Sequence, residues 1–462
     1  MKSRTPKVLH EVGGRSLVGH VVHLAHGLRP ERIVVVVGHG RDRVIEQVGL
    51  IDPDVVTVVQ EQQLGTGHAV RIALEAVTDA DADGAVLVVS GDSPLVTTAT
   101  LTALLDDHTL QQRAATLLTA HVDDPTGYGR IVRDADGAVA RIVEQKDADS
   151  AQLAITEVNS GMYAFALGPL RDALGLLTTD NAQQEEYLTD VVAHLREASL
   201  GVGGVVAADA TEILGVNDRV QLAQAGAILR DRRNEQLMRA GVTIVDPATT
   251  WIDVDVDVAP DAVLQPGTVL RGATSIGADA VIGPNVTLVD TEVGEGATVR
   301  EATCELAVIG ARASVGPYTY LRPGTVLGVD AKAGGFVEMK NAVVGDGSKV
   351  PHLSYVGDAE IGRGSNIGAA TVFVNYDGAE KHRTVVGDAV RIGSDTMLVA
   401  PVEVGDGAYT AAGSVITDDV PPGAMAVGRA RQRNIHGWTE RKRPGSASAE
   451  AAAEAREHDD AD

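Results

Sequence analysis

Two groups of polar residues stand where their spacing could do chemistry. Leu64-Gly65-Thr66-Gly67-His68-Ala69 follows the aliphatic run Val55–Val59 and precedes a helical pattern. A Gly-rich turn at that place lets backbone N–H groups approach a base or a phosphate closely. Ser90-Gly91-Asp92 comes directly after another aliphatic run, Ala85–Val89. Ligands of open α/β sheets gather at the carboxyl ends of strands, so Asp92 is placed to hold a metal ion. The plain alternative is a turn-forming aspartate. In the second half, His352 opens the polar run His352-Leu353-Ser354-Tyr355-Val356-Gly357-Asp358. An imidazole titrates near neutral pH and suits a general base, whereas most lone histidines are structural. Lysine is scarce, at eight residues, so Lys7 and Lys340 stand out.

These residues need elements to hold them. Ile33–Val37, Val55–Val59 and Ala85–Val89 have the length and Val content of buried strands in a parallel sheet. Helical patterns separate them, at Gly67–Val77 and Thr98–Asp107. Strand–helix alternation predicts a doubly wound α/β domain over 1–219. Residues 218–240 lack Pro and hold one Gly, with Asp218 at the N-cap position and Gly241 after the end. The second half of this helix is almost wholly polar, which suits a connector, assigned to 220–240. From 241 the rhythm changes. Ile252, Val258, Leu264, Leu270, Ile276, Ile282 and Leu288 recur every six residues. The phase breaks and returns at Ile309, Val315, Leu321 and Leu327, then at Val344, Val350 and Val356, and again at Val386, Ile392, Leu398 and Val404. A period of six fits neither a helix nor a hairpin and predicts a hexapeptide β-helix over 241–462. The tail from about 440 is rich in Ala, Glu and Asp and is expected to be disordered or weakly helical.

Composition narrows the function classes. A chain of 462 residues predicts more than one domain. A net charge of −25 argues against nucleic-acid and anionic-membrane binding. Cys304 is the sole cysteine, which excludes an intramolecular disulfide and a multi-Cys metal site. With no apolar h-region and no apolar run of spanning length, a cytoplasmic protein is the default expectation.

In order along the first half stand Pro6-Lys7-Val8-Leu9, Gln60 with the LGTGHA run, Ser90-Gly91-Asp92, Asp124-Pro125-Thr126-Gly127-Tyr128-Gly129-Arg130, Ile142-Val143-Glu144, Asn159-Ser160-Gly161 and Gly215-Val216-Asn217. This series resembles the N-acetylglucosamine-1-phosphate uridylyltransferase domain of the bifunctional bacterial enzymes that make UDP-N-acetylglucosamine. The resemblance implies uracil recognition by Gln60, Gly65 and Thr66, and sugar-phosphate recognition by Gly129, Glu144 and Asn159. Ser90 and Gly91 join the same substrate site, Lys7 is implied as a point charge on phosphate, and Asp92 and Asn217 are implied as Mg²⁺ ligands. In such a reaction a sugar phosphate attacks the α-phosphorus of UTP and pyrophosphate leaves, so both oxygens need charge neutralisation. The family begins with a strand and a Gly-rich loop ending in Gly-Thr-Arg-Met, and Met1 falls at the Met of that signature. The expectation is acetyl transfer with impaired uridylyl transfer for the chain as written, and a natural start upstream.

Across the repeats run Leu321-Arg322-Pro323-Gly324, Phe336-Val337-Glu338-Met339-Lys340, the His352 run, Asn366-Ile367-Gly368 and Asn375-Tyr376-Asp377-Gly378. They resemble the glucosamine-1-phosphate N-acetyltransferase domain of the same family, a left-handed β-helix. There a neutral amine attacks the thioester of acetyl-CoA, which requires a base and an oxyanion stabiliser. The resemblance implies His352 as the base and Arg322, Lys340, Tyr355 and Asn366 around the acetyl acceptor. It implies acetyl-CoA contacts at Ala369, Asn375, Tyr376, Ser394, Ala412 and Arg429, and a homotrimer. Ala370 stands where many relatives have Gly. Three alternatives stay open: an acetyltransferase with an inactive nucleotide domain, a non-catalytic sugar-nucleotide sensor or scaffold, and a zinc hydratase. The last needs about three His ligands, and the repeats hold only His352 and His382.

Overall fold

Apolar residues that alternate along a strand cover both faces of a sheet only if helices pack on both sides. The strand Glu157–Ala166 does this: Val158, Met162 and Ala164 join one core cluster, and Tyr163 and Phe165 join another. The computed structural model describes residues 1–77 and 84–459. It divides into two compact units, Met1–Glu301 and Ala302–Asp462.

In the first unit, the helices Leu167–Leu174 and Asp190–Glu197 pack into one cluster with Leu117, and Thr98–Leu110 packs into the other with Leu118. The sheet between them runs Val202–Val206, Ala115–His121, Glu157–Ala166, Arg130–Arg133 and Val139–Val143. Val34–Val37 and Val56–Val59 form a separate parallel pair, as their Val content suggests. The parallel expectation fails for Ala85–Val88, which lies antiparallel to Glu157–Ala166. A run of aliphatic residues carries no information on the direction of the partner strand, and this strand is only half-buried.

The long helix spans Arg219–Arg239, and Asp218 caps it by accepting from the N–H groups of Val220 and Gln221. Its polar half does more than face water. Arg232 donates to the carbonyl of Leu95 at 2.6 Å and to Asp209 at 2.8 Å. Arg230 lies 4.8 Å over the Trp251 ring. Asn234 is fully buried and donates to the carbonyls of Pro247 and Thr250, at 2.9 and 3.0 Å. Asn234→Ala strands those two acceptors and is expected to cost ~1–3 kcal/mol of stability. Denaturant unfolding checks it; an unchanged midpoint means that water replaces the amide.

The hexad rule holds in both units. In the first, all seven aliphatic residues from Ile252 to Leu288 are buried, and short parallel strands stack at 18-residue spacing, as with Val263↔Val281. The phase break after Leu288 is a coil one residue shorter, since Ser275 pairs with Glu292. In the second unit Tyr320 pairs with Glu338 and Glu338 with Tyr355, while Val372 pairs with Met397 across a coil of 25 residues. The extra length is a small loop closed by the Tyr376↔Lys381 bridge. Cys304 fills an inward position, where burial pushes its thiol up to about 12. The tail, expected to be disordered or weakly helical, carries the helices Trp438–Lys442 and Ala447–Asp459. The second of these is alanine-rich, and alanine has the highest helix propensity. Arg456 also pairs with Glu440, tying the two helices together. Among the described residues no helix is long and apolar enough to cross a membrane.

Candidate active sites

In the first unit the hairpin register sets one cluster. Arg130 pairs with Val143, which brings Gly129 against Glu144; a Cβ on Gly129 would stand 3.4 Å from Glu144 Oε1. On the other side Asn159 N–H donates to the Gly129 carbonyl at 2.8 Å. Asn159 is buried, donates to the Tyr163 hydroxyl at 2.6 Å and accepts from Gly161 N–H at 3.2 Å. Burial pushes the Glu144 carboxyl above its ordinary range, opposed by the Thr189 hydroxyl donating to it at 3.3 Å. Arg130, also fully buried, donates to the Tyr128 carbonyl and, at 3.2 Å, to Gln145, which accepts from Gly127 N–H as well. That pins the loop carrying Gly129 to the strand end carrying Glu144.

Gln60 donates to the Gly65 carbonyl at 3.1 Å and lies 3.0 Å from His68 Nδ1. Gly65 has φ +110°, and a Cβ there would sit 2.5 Å from the Glu186 carbonyl, so only glycine fits. The turn does not offer all its amides to a ligand. Gly67 N–H donates to the Glu186 carbonyl at 2.8 Å, and Thr66 Oγ1 accepts from Leu188 N–H at 3.1 Å. The segment 185–189 thus joins the Gly65 turn to Glu144 through Thr189. Sequence reasoning missed it, because an irregular segment carries no period and its contacts are long-range. A cleft of about 600 Å³ opens beside Gln60 at the carboxyl ends of the parallel strand pair, lined also by Gly38–Arg43, Glu61 and Gln63.

Lys7, Asp92 and Asn217 meet although far apart in sequence. Lys7 Nζ lies 2.5 Å from Asp92 Oδ2 and 3.0 Å from Asn217 Oδ1. Val216 N–H donating to the Asp92 carbonyl at 2.9 Å holds the two segments side by side. Ser90 and Gly91 flank this point: Ser90 Oγ faces Gly161, and Gly91 faces Val8. Burial, and secondarily the Asp92 charge, push the Tyr128 hydroxyl pKa up. Among the described residues no group of three or more His, Cys, Asp and Glu is placed to hold a metal. One carboxylate and one amide oxygen converging on an ammonium do fit a hard cation that completes its shell with phosphate oxygens and water, as Mg²⁺ does.

In the second unit, ladder register sorts the expected residues into columns. His352 ends the strand Lys349–His352 and is exposed. The Ala370 N–H donates to its carbonyl at 3.2 Å, so Ala369 lies one coil on. Asp395 N–H donates to the Ala369 carbonyl at 2.7 Å and Gly413 N–H to the Ser394 carbonyl at 2.9 Å, which extends the column through Ser394 and Ala412. Arg429 follows, its Cδ 3.7 Å from where a Gly413 Cβ would be. Ala370 has φ +59°, as do its counterparts on neighbouring coils, Tyr318, Phe336, Leu353 and Asp395, within a few degrees. This corner admits side chains in the left-handed region, so alanine for glycine at 370 is no local anomaly.

Arg322, Lys340 and Tyr355 lie on the adjacent face. Arg322 donates to Glu338 at 2.8 Å, which holds its guanidinium above the ordinary range. Lys381, which sequence reasoning missed, reaches the same place from the loop, and its ammonium pushes the Lys340 amine below its usual range. Asn375 is buried and donates to Asp358 at 2.5 Å; Tyr376, beside it, is exposed and donates to the Gly378 carbonyl at 2.7 Å. Asp358 also accepts from Asn341, and these amides hold its carboxyl below the ordinary range. Asn366 pairs with Lys349 on the face flanking the His352 corner from the other side. Three cationic side chains so close favour a dianion.

A parallel β-helix joined to an α/β domain, each with its own polar cluster, defines a two-domain transferase. The nucleotidyl transferase family model matches residues 2–254, and the bacterial transferase hexapeptide model matches 383–418. The chain is 61% identical over 453 residues to the bifunctional protein GlmU of Streptomyces avermitilis, covering 98% of this chain and 94% of that one. It is 57% identical to the GlmU of Corynebacterium efficiens, with the same coverage, and 58% identical to that of Thermobifida fusca over 464 residues, covering 100% and 96%. The chain belongs to the GlmU family of bifunctional transferases.

Proposed function

We propose that this chain makes UDP-N-acetylglucosamine in two steps: acetyl transfer from acetyl-CoA to glucosamine-1-phosphate, then uridylyl transfer from UTP to the N-acetylated sugar phosphate with release of pyrophosphate. The observation that carries the reading is the presence, in a member of this family, of three cationic side chains on the face adjacent to an exposed histidine in one unit and of a Lys–Asp–Asn cluster in the other. Residues 1–219 carry the uridylyl site, 220–240 the connector and 241–462 the acetyl site. Arg322, Lys340 and Lys381 hold the acceptor phosphate, Tyr355 and Asn366 orient the sugar, and His352 takes the amine proton. Acetyl-CoA lies along the column of Ala369, Ser394, Ala412 and Arg429, near Asn375 and Tyr376.

In the other unit Gln60, Gly65 and Thr66 face the uracil, while Gly129, Glu144 and Asn159 hold the sugar. Asp92 and Asn217 would hold Mg²⁺, which supplies charge neutralisation on the phosphates when bound. Lys7 places a positive charge on phosphate, and Ser90 and Gly91 shape the floor. The working form is a cytoplasmic homotrimer. In its favour, Tyr318, Phe336 and Leu353, each about 60% exposed, stand in one row at the corner that carries His352, with Tyr318 and Phe336 stacked at 5.1 Å. The test is one preparation assayed for free thiol from acetyl-CoA and glucosamine-1-phosphate, and for pyrophosphate from UTP and N-acetylglucosamine-1-phosphate, with the mass read by light scattering. Thiol release by a trimer is expected; no thiol release refutes the acetyltransferase assignment, and a monomer refutes the assembly.

A further inference from the structure

We infer that the Asp92–Asn217 oxygen pair is a cation site that Lys7 and a divalent metal ion occupy in alternation, so that Lys7 must leave before a metal ion binds. The inference rests on the metal role given above to Asp92 and Asn217 and goes beyond it.

Both oxygens point at one atom: Lys7 Nζ lies 2.5 Å from Asp92 Oδ2 and 3.0 Å from Asn217 Oδ1. An ammonium is a compact cation with three donors and no acceptor, so it satisfies a carboxylate and an amide oxygen much as a metal ion does. Two cations cannot share these ligands, because like charges a few ångströms apart repel strongly where water is partly excluded. The exchange is sterically easy. The Lys7 side chain is 38% exposed and that of Asp92 20%. The Lys7 backbone belongs to the short turn Lys7–Leu9 that starts after Pro6, so only the flexible four-carbon stem need move. A ligand phosphate gives the displaced ammonium a new partner. Metal binding and phosphate binding are therefore coupled through Lys7, and the free enzyme pays for metal entry by losing an ion pair.

The experiment is a Mn²⁺ titration of the full chain without nucleotide, with free Mn²⁺ read by electron paramagnetic resonance. Lys7→Met should bind Mn²⁺ roughly tenfold more tightly than the parent chain, the loss of one charge-assisted contact. Lys7→Arg keeps a cation and should bind as weakly as the parent. Asp92→Asn should lose binding. If Lys7→Met matches the parent while Asp92→Asn loses binding, Asp92 is a ligand and the alternation is wrong. A Lys7→Arg variant that binds as tightly as Lys7→Met also overturns it. Undiminished binding by Asp92→Asn removes the metal role itself, and the inference with it.

Discussion

Replacing His352 by alanine is expected to slow acetyl transfer ~10²–10⁴-fold, the usual contribution of a general base. The side chain is exposed at the end of the strand Lys349–His352, so its loss leaves no cavity in the β-helix. Thermal unfolding should therefore stay where it was, and the loss is chemical. Lys340, Lys381 and Arg322 are untouched, so the KM for glucosamine-1-phosphate should change much less than kcat. Thiol release from acetyl-CoA reads the rate. An unchanged kcat, or an equal loss accompanied by an early unfolding transition, would remove His352 from the reaction.

Gly368→Ala should cost ~1–3 kcal/mol or more, through overpacking rather than through backbone conformation. Coils of a β-helix stack at the interstrand distance. At Gly368 a Cβ would meet the backbone nitrogen of Ser394 and stand 2.5 Å from the Gly393 carbonyl carbon. Neither atom can swing away, because Gly368 N–H donates to the Ile392 carbonyl at 2.9 Å and Asp395 N–H to the Ala369 carbonyl at 2.7 Å. The wedge would part Ala369 from Ser394, so a higher KM for acetyl-CoA should accompany the lost stability. Gly364→Ala is the control: φ is +63°, but nothing lies within 4 Å, so only the left-handed conformation costs, about 1 kcal/mol. Denaturant unfolding of both variants separates the causes. Equal losses would falsify the spacing argument.

The architecture was legible because its signals are local. Six-residue spacing placed each aliphatic residue from Ile252 to Leu288 inside, and all are buried. Asp218 and Gly241 bracketed a helix that runs Arg219–Arg239. The column of His352, Ala369, Ser394 and Ala412 also follows from coil length, once the 25-residue coil is known. The antiparallel partner of Ala85–Val88 was not legible, since the pattern of one strand carries no information on its neighbour's direction.

By itself the sequence determined the periods, the turn chemistry and the polar motifs, all of which act over a few residues. Only the tertiary structure decided which motifs meet. Lys7 joins Asp92 and Asn217 across 85 and 210 positions. Thr189 reaches Glu144 from a segment with no motif, and Lys381 reaches Lys340 from a loop that interrupts the repeat. Asn234, in the polar half of the helix read as a connector, is fully buried. The physical reason is the same in each case: a side chain's partner is set by the closure of long loops around a packed core, and that closure leaves no mark in local spacing.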